Sequence, residues 1–268
     1  MFQNLRKSKK LLLIAMTCAT FAIAGCGSDT TKTTADNGPS VTWSETFDGT
    51  KTDFAVKSAP THAVSMSQAT TEMMLQLGLE DKMAGTAFKE EEIYPPLQAA
   101  YDKVKVLSEK WPSYEVFMSV KPDFATGWPD SFSKRAIPAD KMISQKVNIW
   151  IPESMLSTKA DLETNFSDMI KLGEIFGVKP KAEEWVSGQR KTLAAIQDKL
   201  KDLPRKRIFI YDSEDGQPFT AFEGYTTNIL KLIGADNVMS GLGVDKTWAK
   251  GSWETVIAQN PDYIIIAD

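Results

Sequence analysis

Very few side chains in this sequence are equipped to make or break bonds. Among 268 residues there is one histidine, His62, and there are two cysteines, Cys18 and Cys26. No G-x-S-x-G, H-E-x-x-H or phosphate-binding glycine loop occurs, and Gly241-Leu242-Gly243 is too short for a dinucleotide fingerprint. Without a base to activate a nucleophile, hydrolytic mechanisms lack their usual machinery, so no catalytic residue and no enzymatic activity is expected. A site for a bare metal ion needs several converging His, Asp or Glu ligands, and a lone histidine just before a strand does not supply one. What the sequence does equip is recognition. Its 7 tryptophans offer flat apolar faces, which suit large, partly apolar ligands because they give contact area at little entropic cost. Glu115 and Glu254 recur at one spacing, in Ser113-Tyr114-Glu115 and Ser252-Trp253-Glu254. A carboxylate in a first helical turn is favoured by the helix dipole whatever its role. Its appearance twice in matched surroundings asks for a second reason.

Composition sets the setting for that recognition. Hydrophobic residues at 42% and charged residues at 25% are ordinary globular values. Residues 1–25 carry Arg6, Lys7, Lys9 and Lys10 and no acid; without them 27 basic residues face 35 acidic ones, so the formal net charge moves from −4 to −8. A surface that acidic argues against nucleic acid as partner. Residues 1–25 read as a signal peptide, with a basic start and an apolar run from Leu11 to Ile23 too short for a comfortable membrane span. The run ends in Ile23-Ala24-Gly25-Cys26, which looks like a bacterial lipobox, and predicts lipidation at Cys26 and anchoring to the outer face of the cytoplasmic membrane, or residence in the periplasm. Residues 26–40 are polar enough to serve as a flexible tether.

The candidate side chains need elements to position them, and at that level the chain repeats itself. Residues 71–85, TEMMLQLGLEDKMAG, align without a gap to residues 227–241, TNILKLIGADNVMSG. Each predicts a helix ending at Gly78 or Gly234, where glycine takes the left-handed cap conformation, then a short connection into a strand. Residues 113–124, SYEVFMSVKPDF, align in the same order to residues 252–263, SWETVIAQNPDY. There a short helix starts near the serine, stops before Pro122 or Pro261, and leads into a strand, ATGW or IIIAD. Two gapless matches predict two α/β lobes with mainly parallel sheets, at residues 41–156 and 204–268. Residues 157–203 join them, ending in one long helix at 181–203 between Pro180 and Pro204. At about 1.5 Å per residue this strut is about 33 Å long; its narrow apolar stripe is Val186, Leu193 and Leu200, with Trp185 and Ile196 beside it. The first lobe continues past its Pro-Asp strand through a helix at 131–144 and a strand at 147–151, whereas the second copy stops at Asp268. The repeat therefore predicts an incomplete C-terminal lobe, wanting at least one more helix and strand.

With a lipobox, two repeated lobes and one strut, the sequence resembles the helix-hinged class of ABC-transporter substrate-binding lipoproteins, the receptors for ferric siderophores, haem and vitamin B12. The resemblance covers roughly Ser58 to Asp268, through APTHAVSMSQATTEMMLQLGL, SYEVFMSVKPDFATGW, the strut and GSWETVIAQNPDYIIIAD. It implies two Rossmann-like lobes on one long helix, with a metal chelate bound reversibly in the cleft between them and no resident cofactor. It also implies that Glu115 and Glu254, one per lobe, dock against arginines of a permease served by a cytoplasmic ATPase. Trp128 and Trp248 stand where the vitamin B12 receptor is similar in having tryptophans, and Trp111 lies near a third. Trp128 and Trp248 also fall at or beside the carboxyl ends of predicted strands, where open α/β sheets bind ligands. Phe88, Tyr94 and Tyr225 are further cleft candidates, and Trp43 and Trp150 are assigned to packing. The nearby basic residues are Lys89, Lys134, Arg135 and Lys250; the loop Lys89-Glu90-Glu91-Glu92 is either solvated or touches a cationic or hydroxylated part of a ligand. The identity of the chelate stays open, as do a receptor for haem or a free metal ion and a surface adhesin or sensor on the same fold. A monomer is expected.

Overall fold

The computed structural model describes residues 40–267; the leader, Cys18, Cys26 and the tether up to residue 39 lie outside the described residues. The chain enters through a hairpin of β1 (Val41–Phe47) and β2 (Thr50–Val56). Asp48 and Gly49 make its turn with φ of 48° and 78°, the positive values that a two-residue hairpin turn demands. The hairpin's apolar side packs on the first lobe. Trp43 stacks on Phe54 at 5.7 Å and donates its N–H to the Ile149 carbonyl at 2.7 Å.

The first lobe alternates strands and helices: β3 (Ala63–Ser65), α1 (Gln68–Gln76), β4 (Met83–Ala87), α2 (Gln98–Tyr101), β5 (Val106–Ser108), α3 (Tyr114–Ser119), β6 (Phe124–Thr126), α4 (Ala139–Ser144) and β7 (Asn148–Trp150). The strands lie parallel in the order β5-β4-β3-β6-β7. Every residue of β3 and β6 is buried, as befits central strands covered on both faces. Ala63 and Phe124 meet Met74 and Leu172 on one face, while Val64 and Ala125 meet Phe117 and Met142 on the other. The strand order reverses at β3, so a crevice opens at the carboxyl ends of β4, β3 and β6. The helix expected at 131–144 is corrected. Pro129–Phe132 makes a single 3-10 turn, and α4 begins only after Pro138, because a residue preceding proline is pushed out of the helical region.

Two helices follow, α5 (Leu162–Ile175) and α6 (Lys179–Leu200). Asp161 caps α5 reciprocally with Thr164. Gly173 lets the pair cross closely, since a Cβ there would stand 2.7 Å from that of Ala182. The strut thus runs slightly earlier than 181–203, and its stripe is shorter than expected. Only Ala182 and Val186 are buried, Leu193 and Leu200 are half-buried, and Ile196 is 39% exposed. The helix sinks its first turns into the first lobe's core; near its other end Gln197 donates to the Leu232 carbonyl of the second lobe at 3.3 Å.

The second lobe comprises β8 (Lys206–Tyr211), β9 (Ser213–Glu214), β10 (Pro218–Ala221), α7 (Tyr225–Leu232), β11 (Ala235–Asn237), β12 (Trp248–Lys250), α8 (Trp253–Gln259) and β13 (Tyr263–Ile266). One sheet is parallel, in the order β11-β8-β13, and a second is antiparallel, β12-β10-β9. The repeat holds where caps define it. Gly78 and Gly234 sit at φ 64° and 78°, and Ser113 and Ser252 cap α3 and α8. It fails after the glycines: β11 starts at once, whereas a 3-10 turn, Glu80–Lys82, precedes β4. β13 is an edge strand with all four side chains exposed, from 46% at Ile265 to 68% at Ile266. Among the described residues no helix is long and apolar enough to cross a membrane.

Candidate functional site

Three aromatic residues follow three parallel strands of the first lobe: Phe88 directly after β4, Trp111 shortly after β5 and Trp128 shortly after β6. Phe88 holds a φ of 59°, a conformation that L-residues adopt only when their surroundings impose it. Its ring stacks on Trp111 at 4.6 Å with 21° between planes, and the Trp111 N–H donates to the Met66 carbonyl at 3.1 Å. Trp128 donates its N–H to Glu90 at 3.3 Å. The loop bearing Glu90 is tied to α1, because the Gln68 side chain accepts from the Glu90 and Glu91 N–H groups and donates to the Glu92 carbonyl. Partial desolvation holds the Glu90 carboxyl above its ordinary range, opposed by the Trp128 N–H and aided by Glu91. Phe88, Glu90, Trp111 and Trp128 line one cavity of about 400 Å³.

On the second lobe Trp248 pairs across the antiparallel sheet with Ala221 and stacks on Phe219 at 6.1 Å. Tyr225 opens α7 immediately after Gly224, whose φ of 84° and crowding against Thr247 admit no side chain. Burial pushes the Tyr225 phenol upward, and the charge of Asp168 adds to it. The Glu223 carboxylate accepts from the Ser240 hydroxyl at 3.1 Å and the Gly241 N–H at 2.7 Å. That loop is fixed in turn by buried Asn237, which donates to Thr227 and accepts from the Met239 N–H.

Trp128, Tyr225 and Trp248 face a single cavity of about 470 Å³ between the lobes, with Met73, Met155 and Asn165 among its walls. Five of the six aromatic candidates therefore fall in two adjoining cavities that share Trp128. Tyr94, the sixth, lines a neighbouring hollow with Trp185 that shares Ala69, Met73 and Asn165 with the interlobe cavity. Trp43 and Trp150 are packing residues, as expected. Of the basic candidates, Arg135 is paired with Asp130 at 2.5 Å and Lys250 with Asp215 at 2.7 Å, while Lys89 and Lys134 are exposed. His62 is exposed beside Thr61 and Asp123, and among the described residues no group of three His, Cys, Asp or Glu converges as for a metal.

Two buried carboxylates behind the cleft were not foreseen. Asp168 accepts from the Glu153 and Ser154 N–H groups, each at 2.9 Å, and Glu45 accepts from the Ile151 N–H at 2.9 Å. Together they hold residues 151–154, and Ser154 is itself a wall of the cleft. Burial pushes the Glu45 carboxyl up to about 7, against the Ile151 N–H and with help from Glu153 and Asp168. Asp168 is likewise raised by its burial, which outweighs its hydrogen bonds.

Glu115 and Glu254 each stand second in a short helix, α3 and α8, on an exposed surface. The Ser113 and Ser252 hydroxyls accept from the Val116 and Thr255 N–H groups at 3.3 and 3.1 Å, which frees both glutamates from capping. Its own backbone N–H, then the Ser113 hydroxyl, hold the Glu115 carboxyl below its ordinary range.

Known proteins share this plan. A crystal structure of a periplasmic binding protein from Veillonella parvula (DSM 2008) is 97% identical with a TM-score of 0.85, over 86% of this chain and 78% of that one. An uncharacterized ABC transporter substrate-binding lipoprotein of Bacillus subtilis (strain 168) is 26% identical over 98% of this chain and 82% of its own length. A vitamin B12-binding protein of Yersinia pestis (strain Pestoides F) is 23% identical over 78% of this chain and 70% of its own length. The profile of the periplasmic binding proteins matches residues 64–268. A lobed α/β fold with an aromatic interlobe cleft and that match lead to one conclusion: the chain belongs to the periplasmic binding protein family, the substrate-binding proteins of ABC transporters.

Proposed function

We propose that this protein is an exported, lipid-anchored receptor that captures a metal chelate, a ferric siderophore or a corrinoid such as cobalamin, and delivers it to an ABC permease. The observation that carries this is the convergence of Trp128 from the first lobe with Tyr225 and Trp248 from the second on one cavity of about 470 Å³, beside the Phe88–Trp111 stack. Small-molecule sites span roughly 300–1,000 Å³ and are mostly apolar with a few placed polar groups. The vitamin B12-binding relative supports a corrinoid or a similar chelate as the class of ligand. Cys26, carrying the lipid, holds the receptor at the outer face of the cytoplasmic membrane, and Glu115 and Glu254 meet basic residues of the permease, steered by charge. Tryptophan fluorescence of the unlipidated chain, titrated with cobalamin, haem and a panel of ferric siderophores, tests the reading. Saturable quenching by a siderophore or a corrinoid is expected; no response to any of them would contradict it.

A further inference from the structure

A cleft built for anionic chelates would bring cations to its walls. Among the described residues lining the two adjoining cavities there is no Lys, Arg or His. Carboxylates stand there instead, Glu90 from the first lobe and Glu223 from the second, with Asp130 beside Glu90. Asp130 is matched by Arg135, and Lys250, on the strand that carries Trp248, is drawn to Asp215. Glu90 and Glu223 are held by neutral donors, the Trp128 indole for one and Ser240 with Gly241 for the other. Neutral donors fix a carboxylate in place without cancelling its charge. Glu223 is half-buried and Glu90 is exposed, and charge of one sign left uncancelled around a cleft is focused onto whatever enters it.

We propose that the cleft accepts chelates that are neutral or positively charged and rejects those bearing free carboxylates or catecholates, with Glu90 and Glu223 as the specificity-determining residues. The aromatic faces supply contact whatever the ligand's charge, and the two carboxylates supply the sign. Ammonium, amide or hydroxyl donors on the ligand find acceptors on both lobes; an anionic group meets two carboxylates and no counter-ion. The proposal rests on the cleft being a chelate site, and the experiment separates the two claims. The unlipidated chain is titrated with cationic ferrioxamine B, neutral ferrichrome and cobalamin, and anionic ferric enterobactin and haem, for the wild type, Glu90→Gln and Glu223→Gln. Glutamine keeps an acceptor for Trp128 or for Ser240, so the walls stay in place. At least one neutral or cationic probe is expected to bind at least a hundredfold tighter than either anionic probe. Each substitution should narrow that gap about tenfold, mainly by improving the anionic probes, and salt should weaken ferrioxamine B more than ferrichrome. Silence from every probe would overturn the chelate reading itself. Equal or tighter binding of the anionic probes, or a gap that neither substitution changes, would overturn the charge selection while leaving that reading intact.

Discussion

Trp128 is shared by both cavities of the cleft and Trp248 faces it from the other lobe, so each is expected to carry a disproportionate share of affinity. Truncation of a buried aromatic anchor typically costs about 1–3 kcal/mol, roughly tenfold to a hundredfold in Kd. Trp111→Ala should cost as much indirectly, because Phe88 loses its stacking partner; calorimetric titration checks both. Behind the cleft, Glu45 is 6% exposed and its carboxyl is raised from 4.5 to about 7. A raised carboxyl contributes stability that is complete below the unfolded value and lost as pH rises through about 7. Glu45→Gln, which keeps an acceptor for the Ile151 N–H, is expected to stabilise the protein at pH 8 by up to about 3 kcal/mol and to flatten its decline between pH 5 and pH 8. Urea unfolding at the two pH values measures this, and an unaltered decline would contradict it. Trp128 was legible because it follows a parallel strand, whereas Trp248 opens an antiparallel strand rather than ending a parallel one as expected. Glu45 and Asp168 were not legible, since a carboxylate's burial depends on which backbone N–H groups the fold brings to it, and neither has a partner close by in sequence.

Gly173 is the point at which α5 and α6 come closest, with a substituted Cβ facing Ala182 at 2.7 Å and the Lys179 backbone at 3.2 Å. Backbone yields less readily than a side-chain tip, so Gly173→Ala is expected to destabilise by about 1–3 kcal/mol despite alanine's better helix propensity. A stabilised variant in thermal unfolding would refute the close crossing. Among the elements, caps were the most legible: Ser113, Ser252, Gly78 and Gly234 do locally what their residue types require. The hairpin at β1 and β2 has a local signal too, Asp48-Gly49 between alternating stretches. The stripe on α6 misled because periodicity tells which residues align, not which are covered; beyond Val186 little packs on it.

At the scale of the whole molecule, two similar lobes share one helix, with aromatic side chains facing inward and, on each, an exposed glutamate in a serine-capped helix. Glu115→Ala combined with Glu254→Ala is expected to abolish chelate uptake in cells while leaving affinity in solution unchanged, because both lie on exposed surface rather than in the cleft walls; a matching loss of affinity would show that they serve the cleft. Two gapless repeats were enough to reveal this plan, whereas the antiparallel sheet that presents Trp248 has no counterpart in the first lobe and so left no repeat to read. The central claim is that one ligand is held by both lobes at once. Calorimetric titration of the tightest-binding chelate into wild type, Trp128→Ala, Trp248→Ala and the control Trp253→Phe, whose ring stacks on Tyr211 outside the cleft lining, tests it most directly. Each cleft variant should lose at least about tenfold in affinity with the control within about twofold of wild type; wild-type affinity in either Trp128→Ala or Trp248→Ala would contradict it.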